Sequence, residues 1–144
     1  MTPPKLNQTT AALRVCVDRA ECGRLSGRVY SQRLTAPIVF IDFVDFLLRV
    51  EAVLDAQAFP QAFERTRVFR PLCTDGVPAA ERIEEGLPAA AVSAAWGEVS
   101  TFTLHVVTRR NTTWQGFVDW LDGAPPQEYA SVLELIKLVG QHIF

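Results

Sequence analysis

Apolar and polar residues alternate along two separate stretches of the chain, which is the pattern of strands with one buried face. In the first stretch the alternation covers residues 13–17 and, after the turn AECGR, residues 25–30. In the second it covers residues 102–107 and, after the turn NTT, residues 114–121. Because a short polar turn joins two alternating runs in each case, both stretches predict a β-hairpin.

A short strand and a helix are predicted after each hairpin. The short strands fall at residues 38–40 and 127–130, and the helices at residues 42–56 and 131–143. Turn-forming residues such as Asp-Gly and Pro-Pro separate the second hairpin from its short strand. Each half of the chain therefore has the order hairpin, short strand, helix.

Both predicted helices begin at residues that cap helix N-termini. Ser131 is followed three residues later by Glu134, the spacing of a capping box, in which the hydroxyl and the carboxylate satisfy free backbone amides of the first turn. Asp42 is an equally good N-cap residue and is followed three residues later by Asp45. The two start signals occupy equivalent places in the two halves.

The two halves also resemble each other residue by residue. The first strands align at an offset of 91 residues, and after a two-residue deletion in the turn the offset becomes 89, which places Gly27 on Gly116. In both halves an aromatic residue follows this glycine by 13 positions. The similarity predicts an internal duplication, because matched periodic units arise from repeated supersecondary structure.

We therefore expect an α+β fold in one domain over residues 1–144, built from duplicated β-hairpin–helix units, (ββα)2. The first unit covers residues 13–56 and the second residues 101–144, and residues 57–100 form an irregular insertion between them. The sheet should contain four or more mainly antiparallel strands, with two helices packed on one of its faces.

Composition narrows the class of protein. Apolar residues make up 49% of the chain and the formal net charge is −2, which excludes a disordered chain and disfavours a nucleic-acid partner. We expect no membrane association, because no apolar run approaches the roughly 20 residues that a transmembrane helix needs. The N-terminus does not resemble a signal peptide, and three cysteines (Cys16, Cys22 and Cys73) suit a reducing compartment, so we expect a cytoplasmic protein.

Residues for catalysis are scarce. The histidines are His105 and His142, and no Cys, His or carboxylate spacing around them matches a metal site. There is no G-x-S-x-G motif, glycine-rich phosphate loop or dinucleotide fingerprint. We therefore assign no catalytic residue, metal or cofactor, and a non-catalytic protein is favoured over an enzyme.

The sheet face turned away from the predicted helices is the candidate binding surface. It is expected to carry arginines and aromatic residues; its candidate residues are Arg14, Arg28, Tyr30, His105, Arg109 and Phe117. Such a mixture is typical of protein interfaces, and it is also how some open sheets bind a nucleotide or single-stranded nucleic acid. The near-neutral charge favours the protein partner.

The first predicted helix has more apolar surface than one sheet can cover. Its charged residues are confined to Asp42, Asp45, Arg49 and Glu51, and apolar residues occupy well over half of its circumference. A helix packed on one sheet needs an apolar arc of only somewhat more than about 100°. The insertion or a second subunit must cover the surplus, so a homodimer or another protein partner is expected.

Two short motifs resemble those of PilZ domains, small barrels that bind cyclic di-GMP. Residues 111–116, NTTWQG, are similar to the [D/N]-x-[S/T]-x-x-G motif, and residues 24–28, RLSGR, are similar to the R-x-x-x-R element. In that family the arginine element shortly precedes the other motif, whereas here 82 residues separate Arg28 from Asn111. The chain is therefore not assigned to this family.

Overall fold

The computed structural model describes residues 11–59 and 77–144. Within these ranges six strands form one antiparallel sheet, accompanied by three α-helices and a short 3₁₀ helix at Ile83–Glu85. The elements are β1 (Leu13–Glu21), β2 (Arg24–Tyr30), β3 (Ile38–Phe40), α1 (Phe43–Gln57), α2 (Ala89–Ala94), β4 (Ser100–Thr108), β5 (Gln115–Asp119), β6 (Gln127–Tyr129) and α3 (Val132–Ile143). The predicted α+β class and the predicted antiparallel strands are confirmed.

The strand order across the sheet is β3-β2-β1-β4-β5-β6. The two hairpins meet at the centre, where β1 and β4 pair antiparallel with Leu13 opposite Leu104. The short strands β3 and β6 form the two edges. Each half of the chain thus runs from a central strand to one edge of the sheet, and each edge strand leads directly into a long helix.

Both hairpins contain a bulge at the same place. Val17 pairs with Gly27 and Val106 pairs with Gly116, and immediately beyond each of these pairs the register shifts by one residue. An extra residue in one strand changes which face the following side chains occupy. Every residue pair of the second hairpin matches a pair of the first at a constant offset of 89 residues. The first strands therefore also align at 89 and not at the predicted offset of 91.

The turns of the hairpins also match. Cys22 and Gly23 have φ angles of 51° and 76°, and Asn111 and Thr112 have φ angles of 55° and 56°. Two consecutive left-handed residues characterise the type I′ turn, whose twist suits a hairpin. Glycine and asparagine adopt this conformation readily, whereas cysteine and threonine do so at some cost.

The predicted helix starts are confirmed. The Asp42 carboxylate accepts a hydrogen bond from the Asp45 amide at 2.7 Å, and the Ser131 hydroxyl accepts one from the Glu134 amide at 3.1 Å. The Asp45 and Glu134 carboxylates in turn accept hydrogen bonds from the backbone amide four residues before them, at 3.0 and 3.1 Å. Reciprocal capping of this kind stabilises each helix by about 1 kcal/mol.

One hydrophobic core unites the sheet with the two long helices. Seven of its residues that lie in the strands or directly after β5, and that alternate with mostly more polar neighbours in the sequence, are buried: Leu13, Val15, Val29, Leu104, Val106, Val118 and Trp120. The helix residues in the same cluster are Phe46, Val50, Val53, Leu54, Leu135 and Val139. Helix α2 contributes no buried residue, so α1 and α3 supply the helical part of this core.

Part of the predicted insertion lies against the loop that follows β2. Leu34 forms an isolated antiparallel bridge with Ala79, and the Leu87 amide donates to the Leu34 carbonyl oxygen at 2.8 Å. Residues 60–76, which include Cys73, lie outside the described residues. None of the helices in the described ranges is long and apolar enough to cross a membrane.

Candidate functional site

Arg28 and Asp18 form a two-pronged ion pair on the outward side of the first hairpin. The Arg28 Nε and Nη2 atoms donate to the two Asp18 oxygens at 2.9 and 3.1 Å. Arg28 Nη1 also donates to the Tyr30 hydroxyl at 2.8 Å. These hydrogen bonds lower the pKa of Asp18 and raise that of Arg28. The charge of Arg28 is therefore already balanced within the chain.

Residues 95–97 lie over this part of the sheet. Arg14 Nε donates to the Ala95 carbonyl oxygen at 2.7 Å, and the Arg14 guanidinium lies 4.5 Å from the centre of the Trp96 ring. Arg28 Nη2 donates to the Trp96 carbonyl oxygen at 2.9 Å. Arg14 and Arg28 of the predicted binding face thus donate to residues 81 and 68 positions further along the chain, and Trp96 itself stays 61% exposed.

Cys16 shows how completely this area is covered. It is on the same side of β1 as Arg14 and is paired with Arg28 of β2, yet it is fully buried. Burial raises the pKa of its thiol, and the two neighbouring arginines oppose this effect. A buried thiol with a raised pKa is a poor nucleophile. Cys16 therefore acts as a packing residue.

The second hairpin carries an aromatic pair at the corresponding place. His105 and Phe117 are directly opposite each other on β4 and β5, and their rings stack at 4.2 Å with an angle of 16°. Glu128 lies opposite Phe117 on the edge strand β6. His105 and Phe117 thus contact each other, while Arg14, Arg28 and Tyr30 form a separate group on the first hairpin.

Arg109 does not join either group. It is only 4% exposed, and its Nη1 atom donates to Asp55 at 2.6 Å and to Glu51 at 3.2 Å, both on α1. The Trp114 indole N–H also donates to Glu51. The bulge between Val106 and Thr108 explains this placement, because simple alternation does not continue through a bulge. Arg109 therefore ties the second hairpin to α1.

Sequence reasoning missed Arg33, which is the most deeply buried charged residue in the described ranges. It is 2% exposed, its Nε donates to the Gln57 side chain at 2.6 Å, and its Nη2 donates to the Phe59 carbonyl oxygen. Burial lowers its pKa to about 10, and nearby Arg109 adds to this effect. No described carboxylate lies within ion-pair distance of Arg33. Nothing in its local sequence, SQRLT, signals such burial.

The surplus apolar surface expected on the first helix is present. Val44 and Leu48 are 64% and 66% exposed and lie one turn apart on α1, with Ile41, 71% exposed, just before the helix. We call these three residues the α1 stripe. The opposite side of α1 lies in the core. Contiguous exposed apolar surface of this kind is characteristic of interaction sites.

The corresponding side of α3 is more polar. Leu133 is 61% exposed, close to the 64% of Val44, and lies at the equivalent helix position. One turn later, however, Lys137 occupies the place that Leu48 holds on α1. Ile136, 41% exposed, lies one turn from Leu133, and the exposed Glu134 lies between them. The longer uninterrupted apolar stripe is therefore that of α1.

Neither a metal centre among the described residues nor a match to a known protein indicates a function. Within residues 11–59 and 77–144, no group of three or more His, Cys, Asp or Glu residues is placed to hold a metal ion. Comparison of the chain with known protein families, curated proteins and solved structures finds no match.

Proposed function

We propose that the protein is a non-catalytic interaction module that self-associates through α1. The observation that carries this proposal is the exposure of Ile41, just before α1, and of Val44 and Leu48 on α1, each more than 60%, while the other side of the helix is in the core. Burying such side chains stabilises an association by about 25 cal/mol per Å² of apolar surface. Helices with this pattern commonly pack against a partner helix.

A second copy of the chain is the partner that the surrounding charges favour. The N-terminal end of α1 carries Asp42 and Asp45, and Arg49 lies one turn after Asp45, to which it donates at 2.8 Å. If two α1 helices pack antiparallel, the acidic end of each approaches Arg49 of the other. Such self-complementarity suits the two-fold symmetry of a homodimer.

We also propose that the chain is a single domain of two duplicated (ββα) units, residues 13–56 and 101–144, with both long helices on one face of the sheet. The equivalent bulges, turns and helix caps at a constant offset of 89 residues support the duplication. The shared core of β-strand, α1 and α3 residues supports one domain.

A reducing, cytoplasmic setting fits this proposal. Cys22 is an exposed free thiol at the tip of the first hairpin. Exposed free thiols are oxidised or paired in secretory compartments, whereas the cytosol keeps them reduced. Its exposure therefore supports the cytoplasm as the location of the protein.

A nucleotide or single-stranded nucleic acid on the outward sheet face is the second candidate. Its supporting observation is the stacked pair of His105 and Phe117, because aromatic rings on a sheet can stack against bases. Against it, Arg28 is paired with Asp18 and residues 95–97 lie over the first hairpin. Titration of the protein with a fluorescent oligonucleotide and with nucleotides tests this candidate. Binding that Phe117→Ala abolishes would favour it over self-association as the main function.

Sedimentation equilibrium of the purified chain tests the principal proposal. We expect the apparent mass to rise from that of one chain towards that of two as the protein concentration increases through the micromolar range. A mass of one chain over the whole range would contradict self-association. A mass above two chains would contradict a closed two-fold dimer.

A further inference from the structure

A cleft of about 360 Å³ lies on the outward side of the sheet, away from the α1 stripe. The strands and the loop after β2 contribute Arg14, Thr103 and Gln32 to its lining, and α2 contributes Ala90, Val92 and Ser93. Volumes of about 300–1,000 Å³ are usual for small-molecule sites. The cleft is therefore at the lower end of the range and suits a small ligand.

Arg14 is the chemically distinctive residue of this cleft. Its Nε atom is satisfied by the Ala95 carbonyl oxygen, and its guanidinium plane rests near the Trp96 ring. Its Nη2 atom, however, is buried and has no hydrogen-bond partner in the structure. A buried donor without an acceptor costs free energy, and a carboxylate bound beside the guanidinium would offset part of this cost through its opposite charge.

The charge of Arg14 is also unbalanced locally. No described carboxylate lies within 4.0 Å of its guanidinium, whereas neighbouring Arg28 is paired with Asp18. The lining of the cleft includes one arginine and no acidic residue. A ligand with a single negative charge would therefore balance the site, while a multiply charged ligand would not.

We propose that this cleft binds a small organic monoanion, whose carboxylate pairs with Arg14 and whose apolar body packs against α2. A guanidinium held in place by a hydrogen bond and an aromatic ring needs little reorganisation to pair with a carboxylate. Ala90 and Val92 provide an apolar wall, and Gln32 and Thr103 provide polar groups that can orient a substituent. The site is independent of self-association through α1.

Isothermal titration of the full chain with benzoate, and with neutral benzamide as the matched ligand, tests the proposal. We expect benzoate to bind with a Kd of about 1 mM, the strength that a ligand of this size typically reaches. Benzamide should bind at least about tenfold more weakly, because it lacks the charge-assisted hydrogen bonds. Equal binding of the two compounds, or no binding of benzoate, would overturn the proposal.

Two variants locate the binding. Arg14→Gln removes the cation and should weaken benzoate binding at least about tenfold, whereas Arg49→Gln, which removes an arginine from α1, should leave it unchanged. Ala90→Leu narrows the cleft while Arg14 stays in place, and its control is Ala94→Leu on the same helix. Ala90 and Ala94 are both exposed, so neither change disturbs the core. Benzoate binding that survives Ala90→Leu, or that is lost equally in Ala94→Leu, would place the ligand elsewhere.

Discussion

Gly27 and Gly116 lie equally close to a backbone carbonyl group of the neighbouring strand. A Cβ atom on Gly27 would lie 1.9 Å from the carbonyl oxygen of Cys16, and one on Gly116 would lie 1.9 Å from that of His105. Each glycine is paired with the last regular residue before a bulge. The close approach of the strands at both bulges therefore requires the absence of a side chain.

Replacing either glycine should destabilise the fold strongly. We expect Gly27→Ala and Gly116→Ala each to lower the free energy of unfolding by about 2–4 kcal/mol, because the backbone oxygen must move to admit the methyl group. Urea denaturation measures the effect. The control is Gly140→Ala in α3, where a Cβ meets nothing within 4 Å, and there the helix should gain about 0.5–1 kcal/mol. If the two hairpin variants unfold at the same urea concentration as the wild type, the bulge geometry is wrong.

The strands, helix caps and core were predictable because they depend on local chemistry and on the alternation of side chains. Asp42 and Ser131 cap helices wherever the following residues are helical, and buried positions repeat with the period of a strand. The sequence placed Arg109 on the wrong face of the sheet. A bulge before it, which the sequence does not mark, changes the face on which the following side chains lie. Arg14 and Trp96 are separated by most of the first unit and of the insertion, so no local sequence pattern predicts their contact.

The ion pair of Asp18 and Arg28 should make stability depend on pH. Hydrogen bonds from Arg28 lower the pKa of Asp18 from its ordinary 3.8, so the folded state holds the carboxylate ionised more strongly than the unfolded state does. The resulting stabilisation is complete above that ordinary value and disappears as the pH falls through the lower folded-state pKa. Because both side chains are partly exposed, we expect only about 0.5–1 kcal/mol.

Comparison of the wild type with Asp18→Asn measures this contribution. The difference in unfolding free energy should be present at neutral pH and should shrink as the solution becomes strongly acidic. Glu81→Gln, which changes an exposed carboxylate, is the control and should cause little difference at any pH. A cost of Asp18→Asn that stays constant with pH would contradict the ionic origin.

Gln57 should be important because it satisfies the buried Arg33. Its side-chain oxygen accepts from Arg33 Nε at 2.6 Å, and its amide nitrogen donates to the carbonyl oxygens of Arg33 and Ala80 at 2.8 and 3.0 Å. We expect Gln57→Ala to lower the free energy of unfolding by about 2–3 kcal/mol, since it leaves a buried charged donor without its acceptor.

A double-mutant cycle with Arg33→Met separates this effect from simple loss of packing. Methionine removes the charge, so Gln57→Ala should cost at least about 1 kcal/mol less in the Arg33→Met background than in the wild type. Thermal or urea unfolding of the four proteins provides the comparison. Equal costs in both backgrounds would show that Gln57 does not act through Arg33.

Sedimentation equilibrium of three proteins, the wild type, Leu48→Glu and Leu133→Glu, tests self-association through α1 most directly. The two leucines are 66% and 61% exposed, on α1 and α3 respectively, so they are closely matched apart from their helix. We predict that the wild type and Leu133→Glu form dimers, and that Leu48→Glu weakens dimerisation by roughly a hundredfold, because a charge replaces apolar contact in both copies. Monomeric wild type, or equal dimerisation of the two variants, would contradict the proposal.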